Sequence, residues 1–346
     1  MSYDSLMRYA QMLGYGEVHT KIDKKTGLQA IVAIHNTRRG PAIGGCRFTT
    51  YQSKDKALED ALRLGYMMSY KSAINNLPHG GAKAVLIKPN IIKDHVAYFE
   101  KFGEFLEEIG GSYITAMDSG TTAREMDIIA TKTKFVTCTS GHADSDPSPH
   151  TAFGVRRGIE SAVKFKLGKD SLENIHIAIQ GAGNVGYHLA KQLHERGARL
   201  TVADINQKNL DRCVKEFGAT VASPNTIHQI KADVFAPCAL GAVLNKWTVN
   251  ELQVSIVAGS ANNQLAHQHY AQLMHERGIL YAPDFLINAG GIIQVAVVYA
   301  KGDAKQYNEQ INNIYNTVYD IFEQSKKQNC STHQIALQIA HERLYG

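Results

Sequence analysis

Between residues 173 and 283 the chain alternates short β-rich runs with amphipathic stretches. The runs are IHIAIQ (175–180), RLTVAD (199–204), DVFAPC (233–238), SIVAGS (255–260) and GILYAP (278–283). That rhythm predicts a parallel sheet with crossover helices. The near-continuous apolar run from Ile175 to Ile179 is what burial on both faces of such a sheet demands. The phrase HERG occurs twice, at His194 to Gly197 and at His275 to Gly278, each time between a helical pattern and an apolar run. Each glycine reads as a helix stop.

The first 145 residues are patterned differently. They predict a hairpin over 16–35 turning at Lys24 to Gly27, a long helix near 54–75, a strand at AKAVLI (82–87), an amphipathic helix near 92–109 and a strand at SYITAM (112–117). This is a second α/β domain. Glycine, aspartate, serine and two prolines cluster in SGHADSDPSPHT (140–151), which places the boundary there. The expected division is 1–147, 148–302 and a polar helical tail, 303–346, packing back on the first domain.

Length and composition agree with this division. A chain of 346 residues exceeds what one hydrophobic core supports and suits two. With 44% hydrophobic and 20% charged residues, the whole chain should fold. Its start lacks the basic and apolar regions of a secretory signal, and its greasiest stretch, 290–300, is too short to span a bilayer. A cytoplasmic protein without membrane partners is expected. The five cysteines are odd in number, scattered and never arranged as CxxC, which argues against a disulfide framework or a zinc knuckle. No HExxH occurs, so no metal is expected. The net charge of +5 is interspersed with 32 acidic residues, which argues against nucleic acid and suits an anionic small molecule.

Gly181-Ala-Gly183-Asn184-Val185-Gly186 follows an apolar strand and opens a helix, the context that makes this string a dinucleotide fingerprint. The first glycine permits the tight turn, the second lets a pyrophosphate approach the backbone, and the third allows helix and strand to pack closely. Asp204 ends the next strand, 204 − 181 = 23 residues on, near the spacing of the carboxylate that binds ribose hydroxyls. The expected cofactor is NAD, with Lys208 a nearby cation that leaves NADP open.

Three first-domain segments carry polar groups that a fold alone does not require: SYKSA with Lys71, HGGAKAV with Lys83 and TAMDSGTT with Asp118. Lys71, near a helix end, also has the plain reading of a cation complementing the helix dipole. Lys83 follows two glycines and starts an apolar run, where desolvation or a nearby cation would bring a lysine toward general-base range. Asp118 has the plain alternative of capping the helix that follows.

PAIGGCRF, ALRLGYMMSYKSA, HGGAKAV, YITAMDSGTT, DPSPHTAFGV, QGAGNVG, FAPCALGAVLN, AGSANNQL and APDFLINAGGIIQVA run in order from residue 41 to 296. Together they resemble the leucine/phenylalanine/valine dehydrogenase family, a branch of the glutamate dehydrogenase superfamily, and most of all its leucine-specific members. The resemblance implies an N-terminal α/β substrate and oligomerisation domain, a Rossmann-type NAD-binding domain, an active site in the interdomain cleft and a homo-oligomer. It also implies reversible oxidative deamination of an L-amino acid to a 2-oxo acid and ammonia. Lys71 would bind the substrate carboxylate, Lys83 would activate water as the base, and Asp118 would exchange protons with the amino group. Gly44, Gly45, Gly80 and Gly81 would line the site by backbone, and Thr151, Asn263 and Asn288 would hold the nicotinamide end.

In the glutamate-specific branch, the positions matching Ile43 and Val295 are a lysine and a serine. Both are apolar here, so a glutamate side chain would lie desolvated and unpaired. Ala116 and Ile292 complete an apolar pocket resembling that of the leucine-specific members, and leucine, valine and isoleucine are the expected substrates. Met117, Ser119, Cys46 and Ala82 depart from the family pattern, and those beside Asp118 bear on substrate preference. The alternatives are phenylalanine or another large apolar amino acid, or a catalytically silent NAD-binding protein on this fold.

Overall fold

The computed structural model of the protein describes residues 3–141, 146–239 and 241–346. Of the expected boundary segment, residues 142–145 lie outside the described residues. The chain divides into two compact units, one of Met1–Asp146, Val295–Gly302 and Ala340–Gly346, the other of Pro147–Gln294 and Asp303–Ile339.

The first unit contains α1 (Tyr3–Met12), β1 (Glu17–Asp23), β2 (Leu28–Asn36), β3 (Ala42–Thr49), α2 (Lys54–Ile74), β4 (Gly80–Ile87), α3 (His95–Ile109), β5 (Tyr113–Met117) and α4 (Ala123–Ala130). The hairpin forms where expected, with Gly27 at φ 80 in the turn. The five strands make one sheet in the order β1-β2-β4-β3-β5. β2 runs antiparallel to β4, while β3 runs parallel to β4 and β5. α2 starts at Ser53, whose side chain accepts from the Lys56 N–H, and places Ala57, Ala61 and Leu62 against Ile31, Ala33 and Val85. Opposite lies α3, where Tyr98 and Phe99 meet the Phe48 ring. β4, covered on both faces, is buried along nearly its whole length.

The second unit contains α5 (Ser148–Leu167), β6 (His176–Gln180), α6 (Asn184–His194), β7 (Arg199–Ala203), α7 (Gln207–Phe217), β8 (Thr220–Val221), β9 (Val234–Pro237), α8 (Thr248–Glu251), β10 (Ile256–Val257), α9 (His269–Glu276), β11 (Leu280–Tyr281) and α10 (Asp284–Ile287). Its six strands are all parallel, in the order β11-β10-β9-β6-β7-β8. The strand order reverses between β6 and β9, the switch point of a doubly wound sheet, where ligands bind beyond the strand C-termini. Gly197 and Gly278, the two HERG glycines, follow α6 and α9 with φ of 79 and 70, the left-handed geometry of a helix stop.

After α11 (Gly290–Tyr299) come α12 (Ala304–Asn312), α13 (Ile314–Gln328) and α14 (Thr332–Tyr345). The tail differs from the sequence expectation. α12 and α13 pack on α5, so residues 303–339 belong to the second unit. Only 340–346 join the first, where Arg343 donates to the Ile74 carbonyl at 2.5 Å and its own carbonyl accepts from Arg39. Among the described residues no helix is long and apolar enough to cross a membrane, and no cluster of three His, Cys, Asp or Glu side chains is arranged to hold a metal ion.

Candidate active site

In a strand, alternate residues share a face. Ile43 pairs with Gly81 and Arg47 with Val85 across β3 and β4, so Lys83 lies level with Gly45 on the same face of the sheet. Gly45 in turn pairs with Ala116 of β5, and Asp118 follows two residues later with the same parity. Ile43, Gly45, Arg47, Lys83, Ala116 and Asp118 are thereby collected on one face from three strands. Gly44 has the opposite parity, and its carbonyl accepts from the Tyr113 hydroxyl at 2.8 Å.

Asp118 is the centre of this face. Its Oδ2 lies 2.7 Å from Lys83 Nζ and accepts from Arg47 Nε at 3.1 Å. Arg47 reaches outward to Asp60 at 2.8 Å, and the Tyr51 hydroxyl donates to the same Asp60 oxygen at 2.8 Å. Burial pushes the Asp118 carboxyl up, but the Lys83 ammonium and Arg47 guanidinium more than offset this and bring it down to about 2. Lys83 is 6% exposed and sits inside β4, facing a carboxylate.

The capping alternative for Asp118 does not hold. The residue capping α4 is Thr122, whose N–H and hydroxyl both donate to Glu125 Oε2 at 2.7 and 2.6 Å. The Asp118 side chain is left to face the two cations, while its own N–H is turned to the Thr121 hydroxyl at 3.0 Å. Lys71 lies in the last turn of α2 but is only 9% exposed. Complementing a helix dipole needs no burial, and burying an ammonium carries a desolvation penalty.

The glycines of this region are explained by close approach. A Cβ on Gly45 would lie 2.7 Å from the Asp118 Cβ, and one on Gly81 would lie 2.0 Å from the Ser69 nitrogen. Gly45 makes room for the carboxylate, whereas Gly80 and Gly81 make room for neighbouring backbone: Gly80 for Asn36, Gly81 for α2. Ile43 and Ala116 are buried at 0% and 4%; Val295, in the first unit, is buried at 3%, and Ile292, in the second, is half-buried. Arg47 was not singled out by sequence reasoning, although its period-two spacing from Ile43 and Gly45 placed it on this face.

In the second unit, Gly181 turns with φ 97, and a Cβ there would meet Ala239 at 2.8 Å. A Cβ on Gly186 would strike the Gly181 carbonyl at 1.9 Å, so α6 can approach β6 only with glycine at that position. Gly183 caps α6 without a side chain and has open space where its Cβ would be; Asn184 and Val185 form the first turn behind it. Asp204 Oδ2 accepts from the Ala182 N–H at 2.7 Å and its Oδ1 from the Asn206 N–H at 2.7 Å, which ties β7 to the glycine turn.

Three further polar residues belong to this unit. The Thr151 hydroxyl donates to the Pro147 carbonyl at 3.0 Å. Asn263 adopts φ 52, and its carbonyl accepts from the Ala242 N–H at 2.7 Å. Asn288 is 5% exposed and donates through Nδ2 to the Ser260 carbonyl at 3.1 Å and to Asn262 Oδ1 at 2.9 Å, while its Oδ1 is buried without a partner. A buried acceptor is costly to leave unmatched, and a primary carboxamide such as that of nicotinamide would satisfy it. An open phosphate-side glycine, a helix N-terminus, a carboxylate ending the second strand and this acceptor are a donor and acceptor set that fits a nicotinamide dinucleotide.

A doubly wound sheet with this glycine turn, in one chain with a unit that sets a half-buried Asp118 between the buried Lys83 and a half-buried Arg47, defines a two-domain dehydrogenase. Residues 15–135 match the family described as Glu/Leu/Phe/Val dehydrogenase, dimerisation domain, and residues 145–208 and 201–346 match Glutamate/Leucine/Phenylalanine/Valine dehydrogenase. The chain belongs to this family. It is 45% identical over 341 residues to a leucine dehydrogenase of Geobacillus stearothermophilus, covering 98% of this chain and 93% of that one. Among solved structures it resembles an L-tryptophan dehydrogenase from Nostoc punctiforme at 38% identity, with a TM-score of 0.83 and 98% of each chain covered. A glutamate dehydrogenase from Thermus thermophilus shares the fold at 19% identity, with a TM-score of 0.78 and 99% of this chain and 94% of that one covered.

Proposed function

We propose that the protein catalyses the NAD-dependent, reversible oxidative deamination of leucine, valine and isoleucine to their 2-oxo acids, ammonia and NADH. The observation that carries this reading is the 2.7 Å contact of the buried Lys83 with the half-buried Asp118, on the same sheet face as Ile43 and Ala116. The likeness to leucine dehydrogenases over nearly the whole chain supports the same substrate class.

NAD, when bound, would supply the hydride acceptor for the substrate Cα. Lys71, buried in the last turn of α2, pairs with the substrate α-carboxylate. Lys83 takes the proton of the water that adds to the imino carbon, and Asp118 passes protons to and from the nitrogen as ammonia departs. The turn Gly181 to Gly186 would hold the pyrophosphate, Asp204 the adenosine ribose, Thr151 and Asn263 the nicotinamide ribose, and Asn288 the carboxamide. Ile43, Ala116 and Val295, all in the first unit, line the side-chain pocket. With Ile43 fully buried and no cation at its position, a glutamate carboxylate has no partner there. We also propose a homo-oligomer assembled through the first unit, in keeping with the dimerisation domain that the family description assigns to residues 15–135.

Initial rates with NAD and a panel of L-amino acids test the substrate reading. Leucine, valine and isoleucine are expected within about two orders of magnitude of one another in kcat/KM, since one methylene is worth roughly 1–3 kcal/mol. Phenylalanine or tryptophan as the best substrate would overturn the branched-chain assignment and leave deamination standing. Asn288→Ala is expected to weaken NAD binding, measured by fluorescence titration, by roughly 3- to 10-fold, the worth of one ordinary hydrogen bond. Unchanged NAD affinity in a folded variant would remove Asn288 from the cofactor site.

A further inference from the structure

Asp118 Oδ2 is shared by two cations, and only one of them is used by the reaction described above. Lys83 approaches it at 2.7 Å from β4 and Arg47 at 3.1 Å from β3. Arg47 is itself held from the other side, since its terminal nitrogen lies 2.8 Å from Asp60 Oδ2, an oxygen also bound by the Tyr51 hydroxyl. The result is a row of alternating charges, Lys83, Asp118, Arg47 and Asp60, running from the sheet to α2. Arg47 and Asp60 also line a cavity of about 480 Å³ with Tyr51, Lys56 and Arg63, so solvent approaches the row at its Asp60 end.

We propose that Arg47 is a positioning residue of the deamination reaction: anchored on Asp60, it holds Asp118 against Lys83 and sets the pH at which this pair can exchange protons. The inference rests on the deamination reading of the same site. Its physical basis is charge balance. When Lys83 gives up its proton, Asp118 would be a half-buried carboxylate without a cation beside it unless a second one remained, and an arginine stays charged throughout. The forked guanidinium can meet two carboxylates at once, which a lysine ammonium on a flexible stem does less well. The titratable or charged groups around Asp118 are Lys83, Arg47, Cys46, Tyr113, Tyr51 and, beyond the guanidinium, Asp60. Burial pushes the Cys46 thiol and the Tyr113 and Tyr51 hydroxyls up, which leaves Lys83 and Arg47 as the cations acting on the carboxylate.

Removing a cation in direct contact with a carboxylate raises its pKa by about 1 to 3 units. With one cation fewer beside it, the Lys83–Asp118 pair holds its proton to higher pH, so in Arg47→Gln the acid limb of log kcat/KM against pH is expected to move up by at least about 1 unit. kcat is expected to fall 10-fold or more, with KM for leucine within about threefold, the pattern of a lost interaction that matters to the transition state. Arg47→Lys, which restores the charge without the fork, is expected to return the acid limb toward its original position while recovering only part of kcat. Asp60→Asn loosens the anchor but keeps the guanidinium, and is expected to lower kcat with little movement of the limb.

The carboxyl carbon resonance of Asp118, assigned by difference from Asp118→Asn, reads the same property without turnover, so failure of the deamination reading and failure of this inference are separable. A midpoint that rises by a unit or more in Arg47→Gln, and falls back in Arg47→Lys, upholds the inference. An Asp118 midpoint and acid limb that stay where they are in folded Arg47→Gln overturn it. If Arg47→Gln fails to fold, Arg47→Lys and Asp60→Asn decide: slow turnover with an unmoved limb upholds it, and wild-type kcat in both overturns it.

Discussion

Lys83→Ala is expected to lower kcat/KM for leucine by roughly 10² to 10⁴, the range contributed by a positioned proton-transfer group. NAD affinity is expected to stay within about twofold, because Lys83 lies in the first unit and the glycine turn, Asp204 and Asn288 all lie in the second. The substitution leaves Asp118 paired with Arg47, so the carboxylate keeps a cation and the fold should survive. Steady-state rates together with a cofactor titration check both halves. A folded Lys83→Ala enzyme that keeps more than a tenth of wild-type turnover would show that some other group acts as the base.

The second large effect comes from a residue without a side chain. In Gly45→Ala the new methyl would lie 2.7 Å from the Asp118 Cβ and 2.9 Å from the Met117 carbonyl, closer than such contacts can stand. Asp118 would have to move, and its 2.7 Å contact with Lys83 would open. A displacement of about 1 Å in a catalytic group costs on the order of 100-fold in rate. The overpacking itself should cost only about 1–3 kcal/mol of stability. The expected outcome is a folded protein, with melting lowered by a few degrees and kcat reduced about 100-fold. A variant with wild-type kcat would mean that the placement of Asp118 does not limit the reaction.

Features fixed by local chemistry were legible in the sequence. Gly27 closing the hairpin, Gly197 and Gly278 stopping helices, and the turn from Gly181 to Gly186 each follow from what a backbone can do without a Cβ. Candidate site residues were legible where motifs lay beside strand ends, as with Lys83 and Asp118. Features decided by tertiary packing were not. β8 is only Thr220–Val221, both exposed, so no apolar run marks it. The tail from 303 shows amphipathic helices, but their pattern does not reveal that α5 is the surface that receives them. Arg47 escaped notice because an arginine in a strand looks like ordinary surface charge. Only the pairing of β3 with β4 and β5 brings it to Asp118, and only α2 supplies Asp60.

Deamination requires the site to move ammonia as well as hydride. The most direct test follows NADH oxidation in the presence of 4-methyl-2-oxopentanoate while ammonium is varied. The expected result is a rate that is negligible without ammonium and rises to saturation as ammonium is added. NADH oxidation that proceeds equally well without ammonium would rule out deamination, since the enzyme would then be reducing the oxo acid to a hydroxy acid.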